Sequence, residues 1–251
     1  MMRPLAEFER AMELVRSGMN DCAIGTQMGI PRGTVRDWRH KAKTGWRPGN
    51  PGRSRSDENC PVCSHASLDR AQYAYLLGQY LGDGCLSEHR RRVFRLRISL
   101  SLGYPGIMSD CIRAIVAVRG SDNVGFVECV GCVVAYSYWK HWRCVFPQHG
   151  SGRKHERKIE LLSWQEDVVA QHPDRLLRGL LHSDGWRGVN RVNGTDYPRY
   201  QFANNSEDIL RIFCQACDRF GVSWKQMNWK TISIARAPDV LKLDLVAGPK
   251  A

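Results

Sequence analysis

The sequence predicts an α+β protein in which a duplicated α/β unit forms a pseudo-two-fold domain behind a small all-α module. Three observations carry that prediction. The first 45 residues hold short helical stripes separated by Gly, Asn and Pro. A basic stretch with no apolar period follows. Beyond it, two helices ending in Asp-Gly lie 101 residues apart, and each is followed by an alternating strand and another helix. The boundaries this implies are 1–45 for the helical module, 46–67 for a linker, and 68–251 for the duplicated domain, with repeats at about 68–160 and 170–251.

Charge narrows the partners. The 251 residues carry 37 Lys and Arg against 25 Asp and Glu, a formal net charge of +12, with arginines spread through both halves. This is the footprint of a protein that meets a polyanion, and double-stranded DNA is the expected partner. No apolar run approaches the roughly 18 residues of a membrane span. The opening MMRPLAEFERAMELVRSG mixes charge with apolar residues and lacks a signal-peptide core, so a cytoplasmic protein without a membrane partner is expected. Ten cysteines in that compartment read as packed thiols or metal ligands, not as a disulfide framework.

In the first module, Leu5, Phe8, Met12 and Val15 recur at helical spacing. Gly18 stops that helix, Asn20 and Asp21 suit the cap of a second, DCAIGTQMG, and Gly29 with Pro31 makes a tight turn into a third, PRGTVRDWRHK. Val35 and Trp38 are placed inward. Arg32, Thr34, Arg36 and Arg39 are left on the outer face, and the arrangement resembles a helix-turn-helix whose third helix contacts DNA. From His40 to Asn59 the chain is rich in Gly, Pro, Ser and basic residues and reads as a linker.

The duplicated region starts with helices whose last turns hold Asp83 and Asp184. A carboxylate there faces the negative end of the helix dipole, which is mildly unfavourable. Small residues four apart, Gly78 and Gly82 in one copy and Gly179 and Ser183 in the other, share a helical face and let two helices approach closely. Close approach would bring both acids together, and a shared cation offsets the repulsion. After each acid comes an alternating strand, with Arg95 and Arg97 on the polar side of the first and Arg199 and Gln201 in the second. Each copy ends near a Gly-x-Lys tripeptide, giving Lys154 and Lys250.

The nonamers LLGQYLGDG (Leu76 to Gly84) and LRGLLHSDG (Leu177 to Gly185) resemble the two signature helices of the LAGLIDADG homing endonucleases. The resemblance implies duplicated αββαββα units in a single chain, and so a monomer with an internal pseudo-dimer. It further implies a Mg²⁺-dependent DNA endonuclease with Asp83 and Asp184 as metal ligands, Lys154 and Lys250 as charge stabilisers, and strands carrying Arg95, Arg97, Arg199 and Gln201 along the DNA. Bacterial sporulation-control regulators also join this fold to a helix-turn-helix, which leaves a non-cleaving, sequence-specific transcriptional regulator as the alternative. A zinc-stabilised adaptor without chemistry is a third reading.

That third reading rests on CPVC, where Cys60 and Cys63 stand in the linker like half of a zinc site. Two completions fit the sequence: Cys129 with Cys132, or Cys144 with His149. Cys214 and Cys217 fall on a helix beside Ile212 and Phe213 and are assigned to core packing.

Overall fold

A computed structural model describes residues 5–43 and 60–248. The chain divides into two compact units, Met1–Glu58 and Asn59–Ala251. The first is three helices, α1 (Leu5–Arg16), α2 (Asp21–Met28) and α3 (Arg32–Ala42). Asn20 accepts a 2.9 Å hydrogen bond from the Ala23 amide, satisfying a donor that the first turn of α2 leaves open. Gly29 ends α2 at φ 63°, a left-handed conformation open to glycine at no steric cost. Phe8, Ala11, Met12, Ile24, Ile30, Val35 and Trp38 form the core, with Phe8 edge-on to Trp38 at 5.6 Å. Leu5, expected in that stripe, is 40% exposed.

One sequence expectation needs correction at the junction. Most of the expected linker, 46–67, lies outside the described residues, but its last part does not behave as linker. Cys60 is fully buried in the core of the second unit, so the CxxC segment belongs to that domain.

The second unit runs α4 (Arg70–Asp83), β1 (Gly84–His89), β2 (Val93–Ser101), α5 (Pro105–Arg119), β3 (Gly125–Cys129), β4 (Cys132–Trp139) and α6 (Trp142–Val145). After α7 (Ser163–Gln171) the order repeats: α8 (Pro173–Asp184), β5 (Gly185–Val192), β6 (Thr195–Ala203), α9 (Glu207–Phe220), β7 (Lys225–Asn228), β8 (Thr231–Ile234) and α10 (Ala237–Ala247). The two antiparallel sheets have matching orders, β1-β2-β4-β3 and β5-β6-β8-β7. This is the duplicated αββαββα architecture. Alternation sorts the strands: Phe94, Leu96, Ile98 and Leu100 of β2 are buried, while Arg95, Arg97 and Ser99 take the other face.

The helix α4 is not amphipathic, because every residue from Tyr73 to Leu81 is buried. It packs against α8 and is flanked by α5 and α7. Three polar side chains buried with it share one hydrogen-bonded chain. The His182 Nε2 lies 2.8 Å from the Ala247 carbonyl, which can only accept, so Nε2 carries the proton and Nδ1 accepts from the Tyr75 hydroxyl at 3.1 Å. Tyr75 in turn accepts from the Gln79 amide at 3.0 Å. One chain of hydrogen bonds thus ties α4, α8 and α10. At the far end of the second sheet, Asn193 (φ 50°) and Gly194 (φ 78°) make the two-residue turn between β5 and β6, where left-handed residues match the twist of the hairpin.

Candidate functional site

The helices α4 and α8 meet with almost no side chain between them. A Cβ on Gly78 would stand 2.7 Å from both the Leu176 carbonyl oxygen and the Leu180 nitrogen, and one on Gly179 would stand 2.2 Å from the Tyr75 carbonyl oxygen. Further along, a Cβ on Gly82 would fall 2.2 Å from the Ser183 Oγ and 3.0 Å from an Asp184 carboxylate oxygen. Gly82 precedes Asp83, so the contact carries both acids to one place. Gly84 and Gly185, which follow the acids, are not left-handed caps. Their φ values are −90° and −86°, and the chain passes directly into a strand. Glycine is needed there for closeness instead: Cβ atoms would meet Tyr80 Cα at 2.5 Å and the Leu181 carbonyl oxygen at 2.4 Å.

Lys154 reaches the same place. Its Nζ donates to the carbonyls of Tyr80, Leu81 (3.0 Å) and Gly82 (2.9 Å) in the last turn of α4. A cation there offsets the dipole that Asp83 opposes. Burial lowers the Lys154 pKa from 10.5 to about 8, with Asp184, Cys85 and Asp83 pulling it back up. In the unfolded chain the group holds its proton to about pH 10.4. The buried ammonium therefore opposes folding below about pH 8, and that penalty fades as pH rises towards 10.5.

Asn204 completes the inner ring. Its Oδ1 accepts from the Ser206 amide at 2.8 Å, which orients its Nδ2 to donate to the Asp184 carboxylate at 2.7 Å. A cavity of about 340 Å³ opens at this point, lined by Gly82, Lys154, His155, Asp184, Asn204 and Lys230 among others. Asn204 and Lys230 were not singled out from the sequence. The signal for Asn204 is its place right after β6, the second strand beyond Asp184, where a polar pair interrupts the alternation.

The sheet residues fall into symmetric positions. Arg97 pairs across the ladder with Cys85, and Gln201 with Trp186, each one step from the Gly that follows the acid. Arg95 and Arg199 occupy the next same-face positions, opposite Ser87 and Gly188. All four are half-buried. The Arg95 guanidinium lies 4.2 Å from the centre of the Tyr136 ring, and Gln201 Nε2 lies 3.5 Å from Met227 Sδ. Between β1 and β2 the chain turns through Arg90, Arg91 and Arg92, with Arg91 at φ 64° and Arg92 at φ 55°. Such angles cost a non-glycine residue about 1–2 kcal/mol.

Lys250 is outside the described residues. Arg32 and Arg36 are exposed on α3 and Thr34 is half-buried, whereas Arg39 forms an ion pair with Asp21 at 3.1 Å because Asp21 is nearly buried beside it. Cys60 and Cys63 are joined by Cys144, as one completion required, but by His141 in place of His149. His149 packs its ring against Phe94 at 5.6 Å. Cys129 and Cys132 face each other across the β3–β4 turn instead of joining the cluster. Cys214 and Cys217 are buried on α9, as expected.

No protein-family model matches the chain, and no curated protein sequence matches it. Among solved structures, it is similar to the homing endonuclease I-WcaI bound to its DNA recognition sequence, at a TM-score of 0.51 and 15% identity over 74% of this chain and 84% of that one. It is also matched by I-DmoI in complex with DNA and Mn (TM-score 0.43, 13% identity, 72% and 98% covered). The N-terminal LAGLIDADG domain of WhiA matches at a TM-score of 0.44 and 13% identity, with 77% and 89% covered. The second unit has the LAGLIDADG fold, and no helix of the described residues is long and apolar enough to cross a membrane.

Proposed function

We propose that this protein binds duplex DNA at a specific sequence and hydrolyses its phosphodiester bonds with divalent cations held between Asp83 and Asp184. The observation that carries the reading is the contact of Gly82 with Ser183 and Asp184, which sets two carboxylates at the abutting ends of two helices. Two negative helix ends bearing acids favour a cation between them, and hard carboxylate oxygens suit Mg²⁺. When bound, such ions polarise a phosphoryl oxygen, activate water and neutralise the leaving oxygen.

The chain's own residues supply the rest. Asn204 fixes the Asp184 carboxylate through its oriented amide. Lys154 and Lys230 line the cavity beside it and place positive charge where a scissile phosphate would sit. Arg95, Arg97 and Arg199 are half-buried along the strand faces, and their guanidinium groups suit phosphate and base-edge contacts with DNA laid along those faces. On α3, Arg32, Thr34 and Arg36 are placed for further contacts as in a helix-turn-helix. Lys250, by its sequence position, is the second repeat's counterpart to Lys154.

The three-helix first unit also supports a second reading, a regulator that binds DNA without cutting it. Selection of bound duplexes from a randomised library, followed by addition of Mg²⁺, separates the two. Scission within the selected site is expected, and intact DNA at every divalent concentration would leave the regulator. The affinity of that complex should fall steeply with salt, since each phosphate contact releases condensed counterions.

The arginine turn offers a sharper check. Arg91→Gly should stabilise the fold by roughly 1 kcal/mol, because glycine accepts φ 64° without strain. It should also weaken DNA binding and lower the slope of log affinity against log salt by about 1. A variant that gains stability with an unchanged slope would remove this turn from the interface.

A further inference from the structure

We infer that Cys60, Cys63, His141 and Cys144 form a structural zinc site that pins the start of the second unit to the first repeat. Their ligand atoms all lie within 4.8 Å of one another. The Cys63 and Cys144 Sγ atoms are 3.5 Å apart, and the His141 Nδ1 is 3.5 Å from the first and 3.6 Å from the second. Zn–S bonds of about 2.3 Å and Zn–N bonds of about 2.0–2.1 Å in a tetrahedron demand edges of roughly 3.5–3.8 Å, which is what these three atoms show. A disulfide needs about 2.05 Å, so the pair is not bonded.

Each half of the site is held by hydrogen bonds of its own. Cys60 and Cys63 form a tight knuckle in which the Cys63 amide points at the Cys60 Sγ at 3.3 Å and the Ser64 amide donates to the Cys60 carbonyl at 2.9 Å. His141 and Cys144 repeat the x2 spacing at the start of α6, where the Cys144 amide donates to the His141 carbonyl at 2.9 Å. Trp142 between them is fully buried, and its indole N–H donates to the Ser137 carbonyl at 3.0 Å, which locks that turn against β4. Three thiolates and one imidazole are soft and borderline donors, suited to Zn²⁺ and not to Mg²⁺. This site is chemically distinct from the carboxylate pair.

The placement says what the ion does. Cys60 stands ten residues before α4 begins at Arg70, and it is already buried in the second unit's core. With zinc bound, the chain would enter the domain at a fixed point beside α6, and a segment of few apolar residues would be held without a strand or helix of its own.

The test uses the full chain purified under reducing conditions and dialysed against a weak chelator. Elemental analysis should give one zinc per chain, and replacement by Co²⁺ should produce the absorption of tetrahedral thiolate-bound cobalt. Cys144→Ser and His141→Ala should each lose the metal and lower the melting temperature, while the double variant Cys129→Ser, Cys132→Ser should keep it. A folded, reduced wild type without zinc and without the cobalt spectrum would overturn the site, and this result needs no variant to fold. Loss of zinc on changing Cys129 and Cys132, with retention in Cys144→Ser, would overturn the ligand assignment.

Discussion

Gly179→Ala is expected to destabilise the second unit by roughly 3 kcal/mol or more, the range of overpacking at a contact that cannot relax. For a domain of this size that is a fall in melting temperature of about 6–12 °C. The added methyl would stand 2.2 Å from the Tyr75 carbonyl oxygen and 3.0 Å from Gly78 Cα, and both are backbone atoms of α4. No rotamer change can relieve that, so the helices must part. Parting them would also separate Asp83 from Asp184 and strain the Tyr75–His182 hydrogen bond. Gly33→Ala on α3 is the control, since a Cβ there meets nothing within 4 Å and alanine is the better helix former. A Gly179→Ala variant that melts with the wild type would mean that the two helices are not in backbone contact.

Asp83→Asn and Asp184→Asn should each lower DNA cleavage by at least about 100-fold, because removing a metal ligand forfeits several kcal/mol of transition-state stabilisation. Metal-free melting temperatures taken above about pH 8, where the buried Lys154 sheds its proton and no longer needs the carboxylates, should hold or rise. Neutralising one acid relieves like-charge repulsion at the helix ends, and in the Asp184→Asn variant the Asn204 amide still finds an oxygen acceptor on the new side chain. The same substitution at Asp184 removes the leading electrostatic support for the Lys154 ammonium, so Lys154 should titrate below about 8. A melting temperature that drops by several degrees in both variants would make these acids structural.

The features legible in the sequence are those with short-range causes. The Asn20 cap, the Gly29 stop and the α3 core pair Val35 and Trp38 follow from local chemistry, and the repeat was visible because small residues four apart recur before each acid. The strands β1 and β5 were not legible. GCLSEH and GWRGVNRV alternate weakly, and β5 is exposed at most positions, so no apolar pattern marks them. Three site contacts are tertiary. The Gly-x-Lys tripeptide marks Lys154 but not the carbonyls it meets more than 70 residues away, the polar pair after β6 marks Asn204 but not its contact with Asp184, and His141 joins cysteines that include one 78 residues distant. The burial of α4 on all sides likewise depends on partners from both repeats.

The most direct measurement is the mapping of strand ends produced on a selected duplex by wild type, Asp83→Asn and Asp184→Asn in Mg²⁺. The expected result is cuts inside the bound site by wild type, absent without the divalent ion and absent or at least about 100-fold slower in both variants, all three proteins binding the duplex. Wild-type binding with no new ends, or ends produced equally by both variants, would contradict a carboxylate-held metal centre that cuts DNA.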